Sequence, residues 1–430
     1  MDIHVVQPGD TLYRIAQQYG VPMSRLLLDN RPPDPNRLAV GQSLVVQYPR
    51  ETLILLPGET LAQAAQRGGI SLRQLLRNNP QLEGGENALP GQELVLSFQQ
   101  EKEGTLSVGG YAYPEIDPAL LRQTLPFLTT MAPFTYGITP QGGLIPLDDQ
   151  ALIDAAKSMR VRPILHLSTL TQEGTFSNEL AHTVLTDGAV QNRLAASLLE
   201  TIQQKGYRGL DVDFEFVYPE DASAYAAFIA RMRESLSPLG LPVFVALVPK
   251  TSADQRGDLY EGHDYRLLGE AADFVFLMTY EWGYTYGPPM AVAPLRNVEL
   301  VVDYALSEIP AEKIWMGIPN YGYDWTLPFR QGDRAQSISN QEAVALAVQN
   351  RAAIRFDQAA QSPWFRYVDG QGREHEVWFE DARSIRAKLE LARSRGLYGV
   401  GYWNLMRPFP QNWALLNSLY EIPPGDEPLS

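Results

Sequence analysis

The chain contains no cysteine among its 430 residues. That excludes disulfides and thiolate metal sites and leaves the redox compartment open. Histidine is scarce as well. The five histidines are scattered without metal-ligand spacing, so neither a zinc site nor any other metal or cofactor is expected. Basic residues are outnumbered, 35 Lys and Arg against 50 Asp and Glu, for a formal net charge of −15. No basic run offsets that excess, so neither nucleic acid nor a membrane is expected as a partner. Long apolar runs are missing too. The opening Met1-Asp2-Ile3-His4-Val5-Val6 has no basic segment followed by an apolar stretch, and neither a signal peptide nor a membrane span is expected. What is present is a 45% hydrophobic content, enough over this length for one large domain and one or two small ones. The 21 Tyr and 7 Trp supply flat faces that either fill a core or stack on sugar rings.

The first hundred residues repeat themselves. Pro8-Gly9-Asp10-Thr11-Leu12 returns as Pro57-Gly58-Glu59-Thr60-Leu61, 49 positions later. Leu26-Leu27-Leu28-Asp29-Asn30 returns as Leu75-Leu76-Arg77-Asn78-Asn79 at the same offset, and Gly41-Gln42 returns as Gly91-Gln92 one residue further on. Each unit reads as strand, helix, helix, strand. Thr11 or Thr60 caps a helix whose apolar face carries Leu12, Ile15 and Ala16, or Leu61, Ala64 and Ala65. The repeat resembles the LysM domain, a family that binds N-acetylglucosamine-containing glycans between two loops. The resemblance implies glycan contacts at Gly9, Asp10, Thr11, Leu12 and Asn30, and again at Gly58, Glu59, Thr60, Leu61 and Asn79. Two such units in one chain would gain avidity on a polymer.

Beyond Gly104 the pattern changes to apolar strands alternating with amphipathic helices. The expected strands are Leu106–Tyr113, Phe127–Ile138, Arg162–Ser168, Gly209–Val217, Val243–Pro249, Phe274–Glu281, Ile314–Tyr321 and Tyr398–Asn404. Eight strands with helical crossovers make this an α/β chain with a (β/α)₈ barrel. The stretch between Ile314 and Glu380 is too long for a plain crossover, so an α+β insertion is expected at about 324–378. The expected division is therefore 1–48 and 49–98 for the two small domains and 104–422 for the barrel, with 423–430 as a tail lying outside it. A monomer is expected.

The fourth strand carries Asp211-Val212-Asp213-Phe214-Glu215-Phe216-Val217. Strand alternation puts Asp211, Asp213 and Glu215 on one face and Leu210, Val212, Phe214 and Phe216 on the other. Buried acids are costly unless paired or protonated, and neighbouring like charges push a carboxyl pKa upward. That is how a carboxyl group becomes a proton donor near neutral pH. The ends of strands six, seven and eight add Met278-Thr279-Tyr280-Glu281-Trp282, Asn320-Tyr321 and Tyr402-Trp403-Asn404 at the same mouth. Acids with an aromatic floor suit glycan cleavage, which needs a proton donor and a group that stabilises positive charge at the anomeric carbon.

Gly209-Leu210-Asp211-Val212-Asp213-Phe214-Glu215 resembles the DxxDxDxE strand of glycoside hydrolase family 18, and Met278-Thr279-Tyr280-Glu281 its Met-x-Tyr-Asp segment. Trp403 matches the tryptophan that ends the family's last strand. Within the family, Tyr284 to Pro294 and Phe409-Pro410-Gln411-Asn412-Trp413 resemble the LysM-bearing, cortex-lytic N-acetylglucosaminidases of spore-forming bacteria. The resemblance implies Glu215 as general acid and then base, Asp213 orienting the substrate acetamide, Asp211 sharing the Asp213 proton, and Tyr280 bonding the acetamide oxygen. It implies sugar contacts at Trp403, Tyr321, Trp282, Glu281 and Tyr111. The implied activity is retaining hydrolysis after N-acetylglucosamine in spore-cortex peptidoglycan during germination, on a partner that is peptidoglycan or another N-acetylglucosamine-containing glycan. The implied location is spore coat, cortex or cell wall, reached by assembly onto the forespore from the mother cell. Two positions depart from the pattern: Arg208 stands where the family has its first aspartate, and Glu281 where it has Asp. A chitinase or chitooligosaccharide hydrolase, a non-catalytic peptidoglycan-binding coat protein, and a metal-dependent or glycosyl-transferring enzyme using the same acids remain as alternatives, as does Asp213 acting as a direct nucleophile.

Overall fold

The computed structural model describes residues 1–427 and Leu429. Eight parallel strands, numbered here β1 to β8 for the barrel alone, are β1 Ser107–Ala112, β2 Thr130–Pro133, β3 Arg162–Pro163 continuing as Leu165–Ser168, β4 Leu210–Asp213, β5 Val243–Leu247, β6 Phe274–Leu277, β7 Ile314–Pro319 and β8 Gly399–Trp403. Each pairs in parallel with its neighbour, and β8 pairs back onto β1, with Tyr402 opposite Gly110. β3 closes the ring in two pieces. Arg162–Pro163 pairs with β2, whereas Leu165–Ser168 pairs with β4 and bridges Tyr136 through Leu167. Glycines on β1 and β8 let this small barrel hold large rings. A Cβ on Gly109 would meet Trp315, and one on Gly401 would sit 2.4 Å from Phe276.

All eight expected strands exist, but several end early. The second breaks after Pro133, leaving Phe134 and Thr135 outside regular structure before a short hairpin of Gly137–Ile138 with Leu144–Ile145. The fourth stops at Asp213, so strict alternation fails beyond it: Phe214 is buried, whereas Phe216, expected on the same covered face, is exposed. Between β7 and β8 lies a five-stranded antiparallel sheet built from Gly322–Thr326, Gln336–Ile338, Arg355–Asp357, Ser362–Val368 and Glu374–Trp378, with the helix Asn340–Gln349 packed on it.

The two repeats share one architecture. Asp2–Val5 pairs antiparallel with Ser43–Val46 around helices Leu12–Tyr19 and Met23–Asn30. Pro49–Ile54 pairs with Glu93–Phe98 around Leu61–Arg67 and Leu72–Asn78. Each has its own apolar centre, Ile15, Leu26 and Leu44 in one and Ala64, Leu75 and Leu94 in the other. Both rest on the last barrel helix, Pro410–Leu419. Gln47 Nε2 donates to Ala414 O at 3.0 Å and to Ser418 Oγ at 2.6 Å, and Asn417 Nδ2 donates to Asn78 Oδ1 at 2.8 Å. The tail departs from expectation over its described part. Thr129 Oγ1 donates to Pro423 O at 3.0 Å and Gly425 N donates to Arg160 O at 2.7 Å, so the segment lies against the barrel floor. Its turn-forming composition meets hydrogen-bond partners there. Pro428 and Ser430, also assigned to that tail, fall outside the described residues.

Candidate active site

The acids at the end of β4 are brought together by the register of the barrel. His166 on β3 lies beside Asp211, and Ser168 beside Asp213. Asp211 is buried, and its Oδ2 accepts from Tyr111 Oη at 2.8 Å. His166 Nε2 stands 3.6 Å from Asp213 Oδ2 and 3.9 Å from Asp211 Oδ2, while its Nδ1 is 2.7 Å from Thr135 Oγ1. Thr135 Oγ1 donates in turn to Ser168 Oγ at 3.0 Å. Burial pushes Asp211 up to about 6; the charge on Asp213 adds to this, and His166 and Tyr111 oppose it. Oδ1 of both aspartates is buried without a hydrogen-bond partner among the described residues.

Glu215 lies just past the strand, and neighbours hold it there. His263, fully buried, donates from Nε2 to the Glu215 carbonyl at 3.1 Å. A carbonyl only accepts, so Nε2 carries the proton. Burial lowers the His263 pKa to about 4, which keeps the ring neutral at physiological pH. Phe214 stacks between Tyr225 and Phe228 at 5.5 and 5.8 Å, anchoring the backbone on the other side. Among the described residues none donates to the Glu215 carboxyl. Burial first, then the charges of Asp213 and Glu281, raise it to about 7. It therefore holds a proton near neutral pH and has nothing else to give it to.

Tyr280 follows β6 and is buried among the same acids. Its hydroxyl has no hydrogen-bond partner among the described residues, and burial, followed by Asp213 and Glu215, holds its pKa well above the usual phenol value. Its ring fits because β7 carries Gly317 alongside. A Cβ there would come within 2.7 Å of Tyr280 Cε1 and 2.6 Å of Leu277 O. Glu281 then takes a left-handed backbone, φ 67°, which is uncommon for a residue with a side chain. The turn swings its carboxylate along the cleft wall, where Tyr321 Oη donates to Oε1 and Tyr323 Oη donates to the same oxygen at 3.1 Å. The extra methylene relative to Asp thus reaches a pair of tyrosines. Burial raises its pKa, and the two hydroxyls oppose the rise.

Trp403 ends β8, half-buried, with Phe134 at 4.8 Å, Tyr111 at 5.7 Å and Tyr113 at 6.2 Å around it. Trp282 is half-buried on the loop after β6, its backbone N–H bonded to Val292 O at 3.0 Å. Two expected sugar contacts are placed differently. The Tyr111 hydroxyl is committed to Asp211 and the Tyr321 hydroxyl to Glu281, and both rings are buried, so they position acids instead of forming a floor. Arg208 is exposed three residues before Asp211, on the order of 10 Å back along the strand. That departure leaves the acid cluster untouched. His263, Thr135 and Tyr323 carry no sequence signal of their own; only the tertiary pairing reveals them.

In the repeats, helix starts and turns consume most of the residues expected to hold glycan. Thr11 Oγ1 accepts from Arg14 N, and Thr60 forms a reciprocal capping box with Gln63. Asp10 accepts from Gln7 N at 2.7 Å, and Glu59 accepts from Leu56 N at 2.9 Å. Gly9 and Gly58 have φ of 89° and 77°, which the turn demands. Leu12 is core, and Leu61 is half-buried beside its module's core. Asn30 and Asn79 are corrections: both are buried clamps. Asn30 Nδ2 donates to Leu26 O and Val45 O while its Oδ1 accepts from Val45 N, and Asn79 does the same with Leu75 and Val95. No side-chain group is left over in either for a sugar.

Residues 170–407 match the family model for glycosyl hydrolases family 18, and residues 4–47, one of the two repeats, match the LysM domain. The cortical fragment-lytic enzyme of Bacillus subtilis (strain 168) is 42% identical over 428 residues, covering 98% of this chain and 99% of its own length. The spore cortex-lytic enzyme SleL of Bacillus megaterium QM B1551 superposes with TM-score 0.83 at 37% identity over 98% of both chains. SleL of Bacillus cereus gives 0.84 at 37% identity over 99% of both. A family model spanning more than half of the residues, with such likeness along nearly the whole length, establishes that the chain belongs to glycoside hydrolase family 18.

Proposed function

We propose that this glycoside hydrolase acts on spore-cortex peptidoglycan during germination, cutting β-1,4 bonds after N-acetylglucosamine with retention of configuration. The observation that carries the reading is Glu215: a carboxyl raised to about 7, beside Asp213 and the Tyr280 hydroxyl, with neither the carboxyl nor that hydroxyl hydrogen-bonded among the described residues. Full-length likeness to proteins named for cortex lysis supports the substrate. Glu215 gives its proton to the glycosidic oxygen as that bond breaks. The acetamide carbonyl oxygen of the same sugar attacks the anomeric carbon, forming an oxazolinium ion. Asp213 holds the acetamide N–H, Tyr280 donates to its oxygen, and Asp211, fixed by Tyr111, tempers the Asp213 charge. Glu215, now ionised, takes a proton from the water that opens the ring from the same face. Trp403 and Trp282 stack on sugar, and Glu281 is held by its two tyrosines at the pocket wall.

In this reading residues 1–48 and 49–98 are both LysM domains, 104–422 is the catalytic domain with its insertion at about 324–378, and the protein works as a monomer. The second repeat joins the first on its matching architecture and turn residues. Glycan contacts then fall to the exposed turn backbones at Gly9–Thr11 and Gly58–Thr60. Assembly onto the forespore delivers the enzyme to the cortex. Mass spectrometry of reduced cortex digests tests the specificity. N-acetylglucosamine at the new reducing ends, with retained configuration, is expected; muramitol ends or inverted products would overturn it.

A further inference from the structure

Far from the barrel mouth, a cleft of about 880 Å³ opens between the second repeat and the barrel floor. Its charge is unlike that of the rest of this acidic chain. Arg50, Arg73, Arg77, Lys102 and Arg160 line it, against Glu101, Glu421 and Glu427. Arg160 pairs with Asp426 at 2.7 Å. Among the described residues the other four cations have no carboxylate within ion-pair distance, although Arg73 and Arg77 are each only 7% exposed.

Backbone carbonyls take part of the load. Arg73 Nη2 donates to Pro126 O at 3.1 Å and Leu128 O at 2.6 Å, Arg77 Nη1 donates to Pro126 O at 3.2 Å, and Lys102 donates to Asn417 O. These partners satisfy single donors without neutralising charge. Arg73 Nε, Arg73 Nη1 and Arg77 Nε stay buried with no acceptor among the described residues. Burial lowers Arg73 to about 9, Arg77 to about 10 and Lys102 to about 8, the signature of cations short of a counter-ion. The repeat architecture does not require this. Forty-nine positions earlier the first repeat has Ser24 and Leu28 in place of Arg73 and Arg77. Its own buried arginine, Arg25, sits on Asp29 with two hydrogen bonds.

We propose that this cleft is an oxyanion-binding site whose ligand is a carboxylate-bearing peptide stem of the peptidoglycan; that choice of ligand rests on the substrate reading above. The volume falls in the range of sites that enclose a small organic molecule and far exceeds what a lone inorganic ion fills. Ile70, Leu72, Leu96, Phe98 and Met159 line the cleft beside the cations and suit the aliphatic parts of such a peptide between its carboxylates. Since the cleft lies at the floor and the acids at the mouth, the site tethers the polymer without touching the bond that breaks.

Calorimetric titration of the full chain tests this with a soluble acidic stem tetrapeptide, the same peptide with its carboxyls amidated, and inorganic phosphate. The acidic peptide is expected to bind, the amidated one at least tenfold more weakly. Lys102→Met, a half-buried position, should lose about tenfold with unchanged cleavage of short soluble fragments, and Arg73→Gln should lose as much where it folds. Affinity should also fall between pH 7 and pH 9 as Lys102 gives up its proton. Equal binding of the amidated peptide, tighter binding of phosphate, or no binding by folded wild type would overturn the proposal. A chain that cuts cortex yet ignores the peptide refutes the site alone; one that binds the peptide yet leaves cortex intact refutes the substrate reading alone.

Discussion

Glu215 links catalysis to stability through one proton. Its pKa in the fold is raised to about 7 from an ordinary 4.5, so between these values the folded chain holds a proton that the unfolded chain has lost. Stability from this group therefore declines as pH rises from about 4.5 to about 7 and is level above that. Glu215→Gln removes the ionisation. It is expected to melt higher than wild type at pH 8 and nearly level with it at pH 4, in thermal scans at both values. The same change should cut hydrolysis by about 10²–10⁴-fold, since the amide has no proton to donate, while leaving glycan binding in place. More than a tenth of the wild-type rate would refute the assignment. For wild type, kcat/KM should fall as pH climbs through about 7, where the acid form of Glu215 disappears. The acids were legible from their spacing. The groups that hold them were not: His263 lies 48 positions from Glu215, and Tyr323 lies 42 from Glu281, so only the closed barrel brings them together.

At the level of strands and helices, an element's existence follows from its apolar pattern, but its end follows from its neighbours. The run through Val217 reads as strand throughout, yet pairing with β3 stops at Asp213, and Glu215 is released onto a loop that His263 and Tyr225 fix. The second strand likewise breaks where Phe134 and Thr135 turn to meet Trp403 and His166. These breaks fall at the mouth, where side chains must be aimed, and no local periodicity encodes them. The β6–β7 contact leaves no room for a side chain at Gly317. Gly317→Ala would push a methyl into both Tyr280 and the Leu277 carbonyl. Displacing the Tyr280 hydroxyl is expected to lower kcat at least tenfold, with a smaller change in KM, because the hydroxyl acts most on charge that develops in the transition state. Steady-state kinetics on soluble fragments checks the split; an unchanged kcat would show that Tyr280 has no such part.

On the scale of the whole chain, the repeats are joined to the barrel more closely than their compositional boundary suggests. Gln47, Gln74 and Asn78 all bond to the last barrel helix, and Arg25 of the first repeat donates to Asn78 O of the second at 2.9 Å. Arg73 and Arg77 reach the carbonyls of Pro126 and Leu128 at the barrel floor. Removing residues 1–98 therefore does two separable things. It uncovers the packed face of Pro410–Leu419, so the melting temperature of the truncated chain should drop. It also deletes both proposed wall-binding turns, so retention on insoluble peptidoglycan should fall on the order of tenfold or more, the contribution expected of linked weak sites. No acid at the mouth touches either repeat, and below its melting point the truncated chain should cleave short soluble fragments at a rate close to wild type. Pull-down on insoluble wall material beside soluble-substrate kinetics separates the effects. A matching loss in both assays, with the truncated chain still folded, would mean that the repeats form part of the cleft instead of tethering it.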